Sequence, residues 1–499
     1  MLALTMSLGI ALGAMQSLQV TVLLALLPLI IFIRVLRNVS SFIFELTAFY
    51  FFTFSYLVGA VYWIGLGIYR PPVNGIFDAA LIWIFVIKVH AGIHLIIYVF
   101  LRLAIDFLGL KKNMGQVLAL AIGWPVAELF RSFGSWAMPW GLLGYGQIDN
   151  PFFKGLYPLV GALGVSGVMW LFAGMSLSLI QVFYSLSLHQ QKDLLAQNKK
   201  QTIVFLISLI LISALAYFAQ LIVFTVPTTT KIDVRAVHTQ WKNEDKHSPE
   251  AQAVALAQLE SFSQTNGADV TVFPELLLLM NASQIPQQLR AAIVDNVRTN
   301  NSAMIFGSIG SVLLSNDTAG KQNTMLMLDF RGDTHVYAKE ILLPFSEHLP
   351  DNPLMVWAYS FLYRYPQADF IAGATKQTPF NLNGVLIGTT ICSELAYAGK
   401  ASRQAKDANI LINPSSDSWI DSDAYMLQAH VIARVRAAEA QKPLVRPNNV
   451  GYSAFIDHKG QVLSQLKDLP GAGVTTMQPR YGNTPYVLFA AWLDGWLNR

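Results

Sequence analysis

The stretch Gly384-Val-Leu-Ile-Gly-Thr-Thr-Ile-Cys-Ser-Glu394 is a short apolar run that ends in polar residues. Its length and its β-branched side chains predict a buried strand. Cys392, at the end of this run, is the only cysteine among 499 residues. A single cysteine excludes an intrachain disulfide and a cysteine-rich metal site, so its chemistry is that of a free thiol. We interpret Cys392 as a candidate nucleophile, and the alternative is a small apolar residue of the core.

Short β-rich runs alternate with helical stretches on both sides of this strand. Strands are predicted at 232–237, 269–273, 303–307, 324–330, 335–339, 385–391, 410–413, 444–446, 453–457 and 461–466. Helices are predicted at 249–266, 284–299 and 423–440. The turn residues 331–333 and 458–460 predict two hairpins. This alternation indicates a layered α/β domain in which helices pack on the faces of the sheet.

The first part of the chain has a different composition. Residues 1–226 carry 12 of the 34 Lys and Arg and 6 of the 30 Asp and Glu residues. Its apolar runs approach or exceed about 20 residues, the length of a helix that crosses the hydrocarbon core of a bilayer. Helices are predicted at 3–15, 19–36, 42–66, 77–101, 114–131, 158–184 and 202–226. We therefore expect a polytopic membrane domain of about seven helices, in contact with a lipid bilayer, and no nucleic-acid partner.

The apolar run 486–497 near the C-terminus has about a dozen residues, which alone is too short to span a bilayer. Its aromatic residues Tyr486, Trp492 and Trp496 suit a membrane boundary, so an interfacial helix is one alternative. We prefer an eighth span that starts before Pro485 or tilts among its neighbours. The predicted domains are thus a transmembrane domain over 1–226, a catalytic domain over 227–484 and a C-terminal membrane segment over 485–499.

The charges of the loops predict the orientation of the chain. With a cytoplasmic N-terminus, the inside loops collect eight basic residues: Arg34, Arg37, Arg102, Lys111, Lys112, Lys192, Lys199 and Lys200. The outside loops before residue 227 carry only three: Arg70, Arg131 and Lys154. This asymmetry follows the positive-inside rule. Seven spans then place residues 227–484 on the outer side, which is the periplasm in a Gram-negative bacterium.

Ionisable residues lie within one predicted span, where they are costly and often functional. They are Lys88, His90 and His94. The His pair has the i, i+4 spacing of a metal site, but no carboxylate ligand is near in the sequence. We favour packing or interfacial anchoring.

Three reactive side chains follow predicted strands of the α/β domain. They are Glu275, Lys339 and Cys392. Only the fold brings residues so far apart together, and each has a plain structural alternative as a strand-end carboxylate, a solvated lysine or a core thiol.

The order of several motifs resembles that of the nitrilase superfamily. They are Phe273-Pro-Glu275, Tyr337-Ala-Lys339, Leu343-Pro-Phe-Ser-Glu347-His-Leu-Pro350 and Ile391-Cys392-Ser-Glu394. Together with the predicted spans, the chain resembles the apolipoprotein N-acyltransferases, the membrane-embedded branch of that superfamily. Further matching segments are Arg131, Pro139-Trp-Gly-Leu-Leu-Gly-Tyr-Gly-Gln147, Asn413-Pro-Ser-Ser-Asp417-Ser-Trp419, Arg434-Val-Arg436-Ala-Ala-Glu439 and Pro443-Leu-Val-Arg446. The resemblance implies a four-layer α-β-β-α sandwich.

The resemblance also implies roles for individual residues. Cys392 matches the nucleophile, Glu275 the general base and Lys339 the stabiliser of the oxyanion. Glu347 and Glu394 are implied as supporting residues of the site. Ser393 and Trp419 are expected to bind substrate, and Ser393 stands where the family usually has an aromatic residue.

The implied reaction transfers an acyl chain from a membrane phospholipid, through a cysteine thioester, to the α-amine of a diacylated apolipoprotein. It requires no metal or cofactor, and it places the protein in a bacterial inner membrane. Three alternatives stay open: an acyltransferase with another donor or acceptor, a membrane-tethered amidohydrolase in which water resolves the acyl-enzyme, and a non-catalytic scaffold. Retention of Glu275, Lys339 and Cys392 together disfavours the scaffold.

Overall fold

The structure is a computed structural model, and it describes residues 1–18, 24–69, 75–134, 137–187, 192–241, 245–313, 319–344, 346–348, 353 and 370–497. The chain forms two compact units. The first contains Met1–Tyr69 and Ile76–Val223, and the second contains Phe224–Arg499.

The described part of the first unit is mainly α-helical, with turns and short 3₁₀ helices between residues 131 and 156. Its helices are α1 (Leu2–Leu18), α2 (Leu26–Asn38), α3 (Phe42–Ala60), α4 (Trp63–Ile68), α5 (Ile76–Phe107), α6 (Lys112–Phe130), α7 (Tyr157–Ser187) and α8 (Lys192–Ala219). Every predicted helix has a counterpart among them. The prediction of one continuous helix over 42–66 is wrong, because the backbone leaves the helical region at Val61 (φ −132°, ψ 33°) and a second short helix follows. The helix predicted over 202–226 begins ten residues earlier and ends at Ala219.

Apolar helices of membrane-spanning length occur in this unit. Among the described residues, three segments are long and apolar enough to cross a bilayer: Phe42–Ala60, Ile76–Phe107 and Lys154–Gln181. Leu2–Leu18 and Leu206–Ala219 are apolar but shorter. These helices fit the predicted membrane domain, while the number of crossings and their direction stay predictions.

The two histidines of α5 are packed side chains. His90 and His94 are both buried. The Nδ1 of His90 lies 2.7 Å from the Val86 carbonyl oxygen, and that of His94 lies 3.0 Å from the His90 carbonyl oxygen. The His94 ring also meets the edge of Trp124, with centroids 4.9 Å apart. This environment agrees with the packing interpretation of the pair.

The second unit contains two extended sheets. In its described part, one six-stranded sheet has the order β13-β2-β3-β4-β5-β6 and the other has the order β12-β11-β10-β9-β8-β7. The strands of the first sheet are β2 (Ile232–His238), β3 (Val270–Val272), β4 (Ala303–Leu313), β5 (Ala319–Leu328), β6 (Thr334–Ala338) and β13 (Gly471–Met477). Those of the second are β7 (Phe380–Leu382), β8 (Val385–Thr389), β9 (Ile410–Ile412), β10 (Leu444–Arg446), β11 (Ser453–Ile456) and β12 (Val462–Leu466). The short strands β1 (Val226–Pro227) and β14 (Arg480–Tyr481) pair with each other.

The inner faces of the two sheets share one apolar core. Val234 and Ile305 of the first sheet belong to the same buried cluster as Ile387 and Ile412 of the second. Burial of such branched side chains typically stabilises a fold by about 1.5–3 kcal/mol each. Cys392 is a member of this cluster, so the nucleophile candidate stands at the border of the core.

Helices cover the outer face of each sheet. On the first sheet lie α9 (Pro249–Gln264) and α10 (Gln287–Thr299), whose apolar side chains form a second buried cluster with Phe273 and Met304. On the second sheet lie α11 (Ala398–Lys406) and α12 (Asp423–Ala440), which contact β8 to β11. The described residues thus form four layers, α-β-β-α, and the predicted sandwich is confirmed. The helix predicted over 423–440 is confirmed at both ends.

Some predictions in this unit are wrong or incomplete. The sequence did not reveal α11, β7 or β13. The apolar segment 276–280 was considered a candidate for lipid contact, with core packing as the alternative; Leu277 and Leu278 are buried against the helices of the first sheet, so packing is correct for them. The other candidate for lipid contact, the aromatic loop 356–363, lies outside the described residues.

The C-terminal apolar run forms helix α13 (Pro485–Leu497). It begins at Pro485, so the expected start before this residue is wrong. Its 13 residues correspond to about 20 Å, which is less than the roughly 30 Å of a hydrocarbon core. The helix packs against α11 within the second unit and exposes Phe489, Trp492 and Trp496.

Candidate active site

The three predicted catalytic residues all follow strand ends. Glu275 lies three residues after β3, Lys339 directly after β6, and Cys392 three residues after β8. The first two strands belong to one sheet and the third to the other, so the site lies at one end of the sandwich, where both sheets contribute. All three side chains are buried.

Lys339 is held between two carboxylates. Its Nζ lies 3.1 Å from Glu275 Oε1 and 2.8 Å from Glu347 Oε2. Asn323, on β5, joins the same two carboxylates: its Nδ2 donates to Glu275 Oε1 at 2.8 Å and to Glu347 Oε1 at 2.9 Å. The backbone N–H of Leu343 donates to Glu347 Oε2 at 2.8 Å. The predicted supporting residue Glu347 therefore belongs to the same cluster as the predicted base and lysine.

A tight turn places Glu275 in this cluster. The strand continues its pairing to Phe273, whose N–H donates to the Ile305 carbonyl at 2.8 Å, and Leu276 then adopts φ +47°. Strand β4 passes directly beneath this turn at Gly307. A Cβ on Gly307 would lie 2.2 Å from the Leu276 nitrogen and 2.9 Å from the Glu275 carbonyl carbon. Only glycine permits this approach of β4 to the turn.

Cys392 lies on a strained turn that its neighbours hold in place. Its φ of +49° lies in the left-handed region, which is unfavourable for a residue with a Cβ. Its N–H donates to the Pro414 carbonyl at 2.9 Å. The Asn413 Nδ2 donates to the Cys392 carbonyl at 3.1 Å and to the Thr390 carbonyl at 2.9 Å. Arg446 in turn donates to Asn413 Oδ1. These bonds fix the turn that presents the thiol.

Burial raises the pKa of the Cys392 thiol above its usual range, and the negative charge of Glu275 raises it further. The charges of Lys339 and Arg446 act in the opposite direction, and Asp417 acts with Glu275. The resting thiol is consequently protonated at neutral pH. A base is therefore needed before the sulfur can act as a nucleophile.

Glu275 has the electrostatics of such a base. Burial raises its pKa, but the Lys339 ammonium, the Asn323 hydrogen bond and the charge of Lys246 together lower it below its usual value. Burial lowers the pKa of Lys339, but Glu275 and Glu347 raise it well above its usual value. At neutral pH the site thus holds an ionised carboxylate, an ammonium and a neutral thiol.

Glu394 connects the turn of the nucleophile to the segment of the lysine. Its Oε2 accepts from the Ile391 N–H at 2.7 Å and from the Tyr337 hydroxyl at 2.8 Å. Its Oε1 accepts from the N–H groups of Glu340 and Ile341 at 2.7 Å and 3.0 Å. The predicted supporting role of Glu394 thus has a geometric basis, because the residue bonds the neighbours of both Cys392 and Lys339.

The two predicted substrate-binding residues lie in different environments. Ser393 follows Cys392 in a short 3₁₀ turn (Cys392–Ala396) and is buried. Trp419 is partly buried, and its Nε1 donates to the Tyr425 hydroxyl at 3.1 Å. The same hydroxyl donates to Asp417 at 3.2 Å. The role of both residues in substrate binding stays a prediction.

Sequence reasoning assigned no role to four polar residues at the site: Lys246, Asn323, Asp417 and Arg446. Lys246 is 4 % exposed, and its Nζ donates to the Glu275 carbonyl at 3.1 Å. Asn323 bridges the two carboxylates. Asp417 and Arg446 form a buried ion pair, with 2.9 Å between Arg446 Nη2 and Asp417 Oδ2. Asp417 and Arg446 stand in motifs of the resemblance, whereas Lys246 lies in a charged segment that resembles solvated surface.

The residues that the structure describes include no group of three or more His, Cys, Asp or Glu side chains placed to hold a metal ion. The side chains that the described site does contain can carry out nucleophilic attack, proton transfer and stabilisation of negative charge by lysine and backbone groups.

Comparison with known families covers most of the chain. Residues 234–484 match the family model described as carbon-nitrogen hydrolase, and residues 5–175 match that described as apolipoprotein N-acyltransferase N-terminal domain. The chain is 28 % identical over 444 residues to an apolipoprotein N-acyltransferase of Photobacterium profundum, covering 84 % of this chain and 81 % of the relative. It is 27 % identical over 376 residues to an apolipoprotein N-acyltransferase of Nitrosomonas europaea, covering 75 % and 71 %.

Solved structures also match about half of the chain. Saccharomyces cerevisiae Nit3, a member of the nitrilase superfamily, matches with 16 % identity and a TM-score of 0.38, over 52 % of this chain and 93 % of Nit3. The family matches extend over both units. The chain therefore belongs to the carbon-nitrogen hydrolase family, in its membrane-embedded apolipoprotein N-acyltransferase branch.

Proposed function

We propose that this protein transfers an acyl chain from a membrane phospholipid to the α-amine of the N-terminal diacylglyceryl-cysteine of apolipoproteins. The observation that carries the proposal is the buried cluster in which Lys339 joins Glu275 and Glu347 and acts electrostatically on the Cys392 thiol. The apolar helices of the first unit and the names of the curated relatives support lipid-linked substrates.

In the first step, Glu275 takes the proton of the Cys392 thiol, and the sulfur attacks the ester carbonyl carbon of the phospholipid. Lys339 stabilises the negative charge that develops on the carbonyl oxygen, an effect typically worth a few kcal/mol. The C–O ester bond then breaks, and Glu275 returns the proton to the departing lysophospholipid alkoxide. The acyl chain stays on the enzyme as a thioester.

In the second step, the free α-amine of the acceptor attacks the thioester carbonyl carbon while Glu275 takes a proton from the nitrogen. The C–S bond breaks, an amide forms, and the proton passes to the sulfur. A thioester conserves the acyl potential of the ester, and formation of an amide makes the transfer downhill. The two steps require neither redox nor phosphoryl chemistry, so no cofactor forms part of the proposal.

The remaining residues take supporting roles. Glu347 keeps the Lys339 ammonium in place, and Glu394 holds the two reactive segments together. Ser393 and Trp419 line the route of the substrates in this proposal. We assign residues 1–226 to the membrane domain, 227–484 to a catalytic domain on the periplasmic side of the inner membrane, and 485–499 to a C-terminal membrane segment.

Intact-mass analysis of the purified full-length protein tests the nucleophile and the donor class together. We expect a mass increase equal to one acyl chain after incubation with a labelled phospholipid, and its loss on treatment with hydroxylamine, which cleaves thioesters. The variant Cys392→Ala should show no adduct and no turnover. Undiminished transfer by this variant would remove the nucleophile assignment.

The acceptor is tested by adding a synthetic diacylated lipopeptide with a free N-terminal amine, alongside a matched lipopeptide whose amine is acetylated. Only the free amine should receive the label. Free fatty acid as the sole acyl product with both peptides would instead establish the amidohydrolase type of reaction, in which water resolves the acyl-enzyme.

A further inference from the structure

A buried cluster of four charged side chains lies beside the active site and plays no part in the proposed chemistry. Lys400 and Arg403, both on α11, form ion pairs with the carboxylate of Glu340. Arg403 also pairs with Asp494 on α13. The cluster contains two positive and two negative charges, so its members neutralise one another. Apart from the Arg403 side chain, which is about one-fifth exposed, their side chains are almost fully buried.

The cluster is connected to both reactive residues. Glu340 directly follows Lys339, and its N–H donates to Glu394 at 2.7 Å. The other oxygen of Glu394 accepts from the N–H of Ile391, the residue before the nucleophile, at 2.7 Å. A second connection runs through Lys400, whose Nζ lies 5.1 Å from the ring centroid of Tyr337, the residue that also donates to Glu394.

The fit between α11 and α13 is tight at this point. Gly399 faces Asp494, and a Cβ on Gly399 would lie 2.6 Å from the Asp494 Cβ. Any other side chain at Gly399 therefore requires α13 to move away from α11. The tight fit holds Asp494 within reach of Arg403.

We propose that Asp494 and Arg403 are positioning residues, through which the C-terminal helix α13 holds Glu340 and hence Lys339 and the turn of Cys392 in their reactive arrangement. Loss of one charge leaves the others buried and incompletely paired, which favours rearrangement of the cluster. Among the four residues of the cluster, Glu340 is the direct chain neighbour of Lys339. A rearrangement of the cluster therefore displaces Lys339 first. The inference rests on the proposed roles of Lys339 and Cys392 but requires no particular acyl donor or acceptor.

The experiment measures the reactivity of the sole cysteine with iodoacetamide as a function of pH, in the full-length protein. The charges of Glu275, Lys339, Asp417 and Arg446 act on this thiol, and the thiol also interacts with the charge of Lys246. Displacement of Lys339 removes a stabilising charge from the thiolate. For Asp494→Asn we expect an apparent thiol pKa that is higher by about half a unit to one unit, which corresponds to alkylation about three- to tenfold slower at a fixed pH.

Two further variants separate positioning from a general loss of folding. Asp494→Glu keeps the charge and should restore most of the wild-type rate, whereas Gly399→Ala keeps every charge but separates the helices and should slow alkylation. Asp423→Asn is the matched control, because it removes an exposed aspartate whose only described ion pair is a 3.8 Å contact with Lys467. It should alkylate like the wild type.

The outcomes distinguish this inference from the proposed function. Wild-type alkylation profiles for both Asp494→Asn and Gly399→Ala overturn the positioning role, whatever acyl transfer they show. Slowed alkylation in both, with recovery in Asp494→Glu, supports it even if the wild-type protein transfers no acyl chain to a lipopeptide; that second result would overturn only the proposed substrates. If Asp494→Asn does not fold, the alkylation rates of Gly399→Ala and Asp423→Asn decide: a slower rate for Gly399→Ala supports the positioning role, and equal rates overturn it.

Discussion

Lys246 is a buried lysine whose charge the fold must accommodate, and replacing it with methionine tests how the site uses that charge. Burial lowers the pKa of Lys246 to about 8 from an ordinary value of 10.5, against the opposing influence of Glu275 and Cys392. A lysine with a depressed pKa destabilises the folded state while it carries its proton. Methionine has a similar length and no charge, so Lys246→Met removes this penalty.

The size of the penalty follows from linkage. With pKa values of about 8 in the folded chain and 10.5 in the unfolded chain, it is roughly 3 kcal/mol at pH 7 and roughly 1.4 kcal/mol at pH 9.5. Between pH 8 and 10.5 the unfolded chain binds more protons than the folded one, so the wild-type free energy of unfolding rises with pH in this window. The variant lacks this rise. Its advantage over the wild type should therefore shrink by about 2 kcal/mol from pH 7 to pH 9.5.

The assay is thermal unfolding at both pH values, followed by tryptophan fluorescence. The lost hydrogen bond to the Glu275 carbonyl and the packing of methionine change the unfolding midpoint by the same amount at both pH values. The test is therefore the change of the midpoint difference with pH. The difference in midpoint between variant and wild type should fall by about 4–8 °C. Lys231→Met, which removes an exposed lysine of the same unit, should keep a constant difference. A pH-independent difference for Lys246→Met as well would refute a charged, buried Lys246.

Three further results are expected. Glu347→Gln removes one of the two carboxylate partners of the buried Lys339, so the free energy of unfolding should fall by about 1–3 kcal/mol, measured by thermal unfolding; an unchanged midpoint would contradict the paired geometry. Gly307→Ala forces β4 away from the turn of Glu275 and should reduce acyl-enzyme formation by about a hundredfold in intact-mass time courses, whereas wild-type rates would show that the turn tolerates the Cβ. Because the pKa of Glu275 lies below its usual value, acyl-enzyme formation should stay constant as the pH falls to about 4.3 and decline only below it; a decline centred near pH 6 would exclude Glu275 as the base.

Elements with local signals were predictable from the sequence. The hairpins form at 331–333 and 458–460, where Gly332 and Gly460 adopt φ values of +85° and +74° that other residues rarely adopt. Helix α12 begins at the predicted residue, where a serine caps it: the Ser422 side chain accepts from the Tyr425 N–H. These signals lie within a few residues of the structure that they specify.

Elements without a local signal were not predictable. Helix α11 has no apolar stripe, because its buried residues include Lys400 and Gln404, whose partners come from distant segments. Strand β13 is mostly exposed and contains two glycines, and it forms by pairing with β2, where Gly471 stands opposite His238. In both cases the partners come from segments that are distant in the sequence and that the fold brings together.

The candidate site shows the same division between local and distant information. The strand-end positions of Glu275, Lys339 and Cys392 follow from local patterns, but their proximity depends on strands of two different sheets. Lys246 follows four polar residues in a segment that is typical of solvated surface, and only its contacts with the Glu275 carbonyl and the neighbouring charges identify it as buried. A buried charge of this kind is specified by its partners and not by its own neighbours in the sequence.

The proposed chemistry requires two carboxylates next to Lys339. Glu275 must gain a proton in each step, and at that moment it can no longer balance the Lys339 ammonium. With Glu275 alone, the lysine would then be a buried and unpaired charge, which is the most costly arrangement in a protein interior. Glu347 lies 2.8 Å away and exchanges no proton in the proposed steps, so the ammonium keeps one carboxylate partner while it stabilises the developing oxyanion. The second carboxylate thus allows one lysine to pair with the base in the resting site and to stabilise the oxyanion in the transition state.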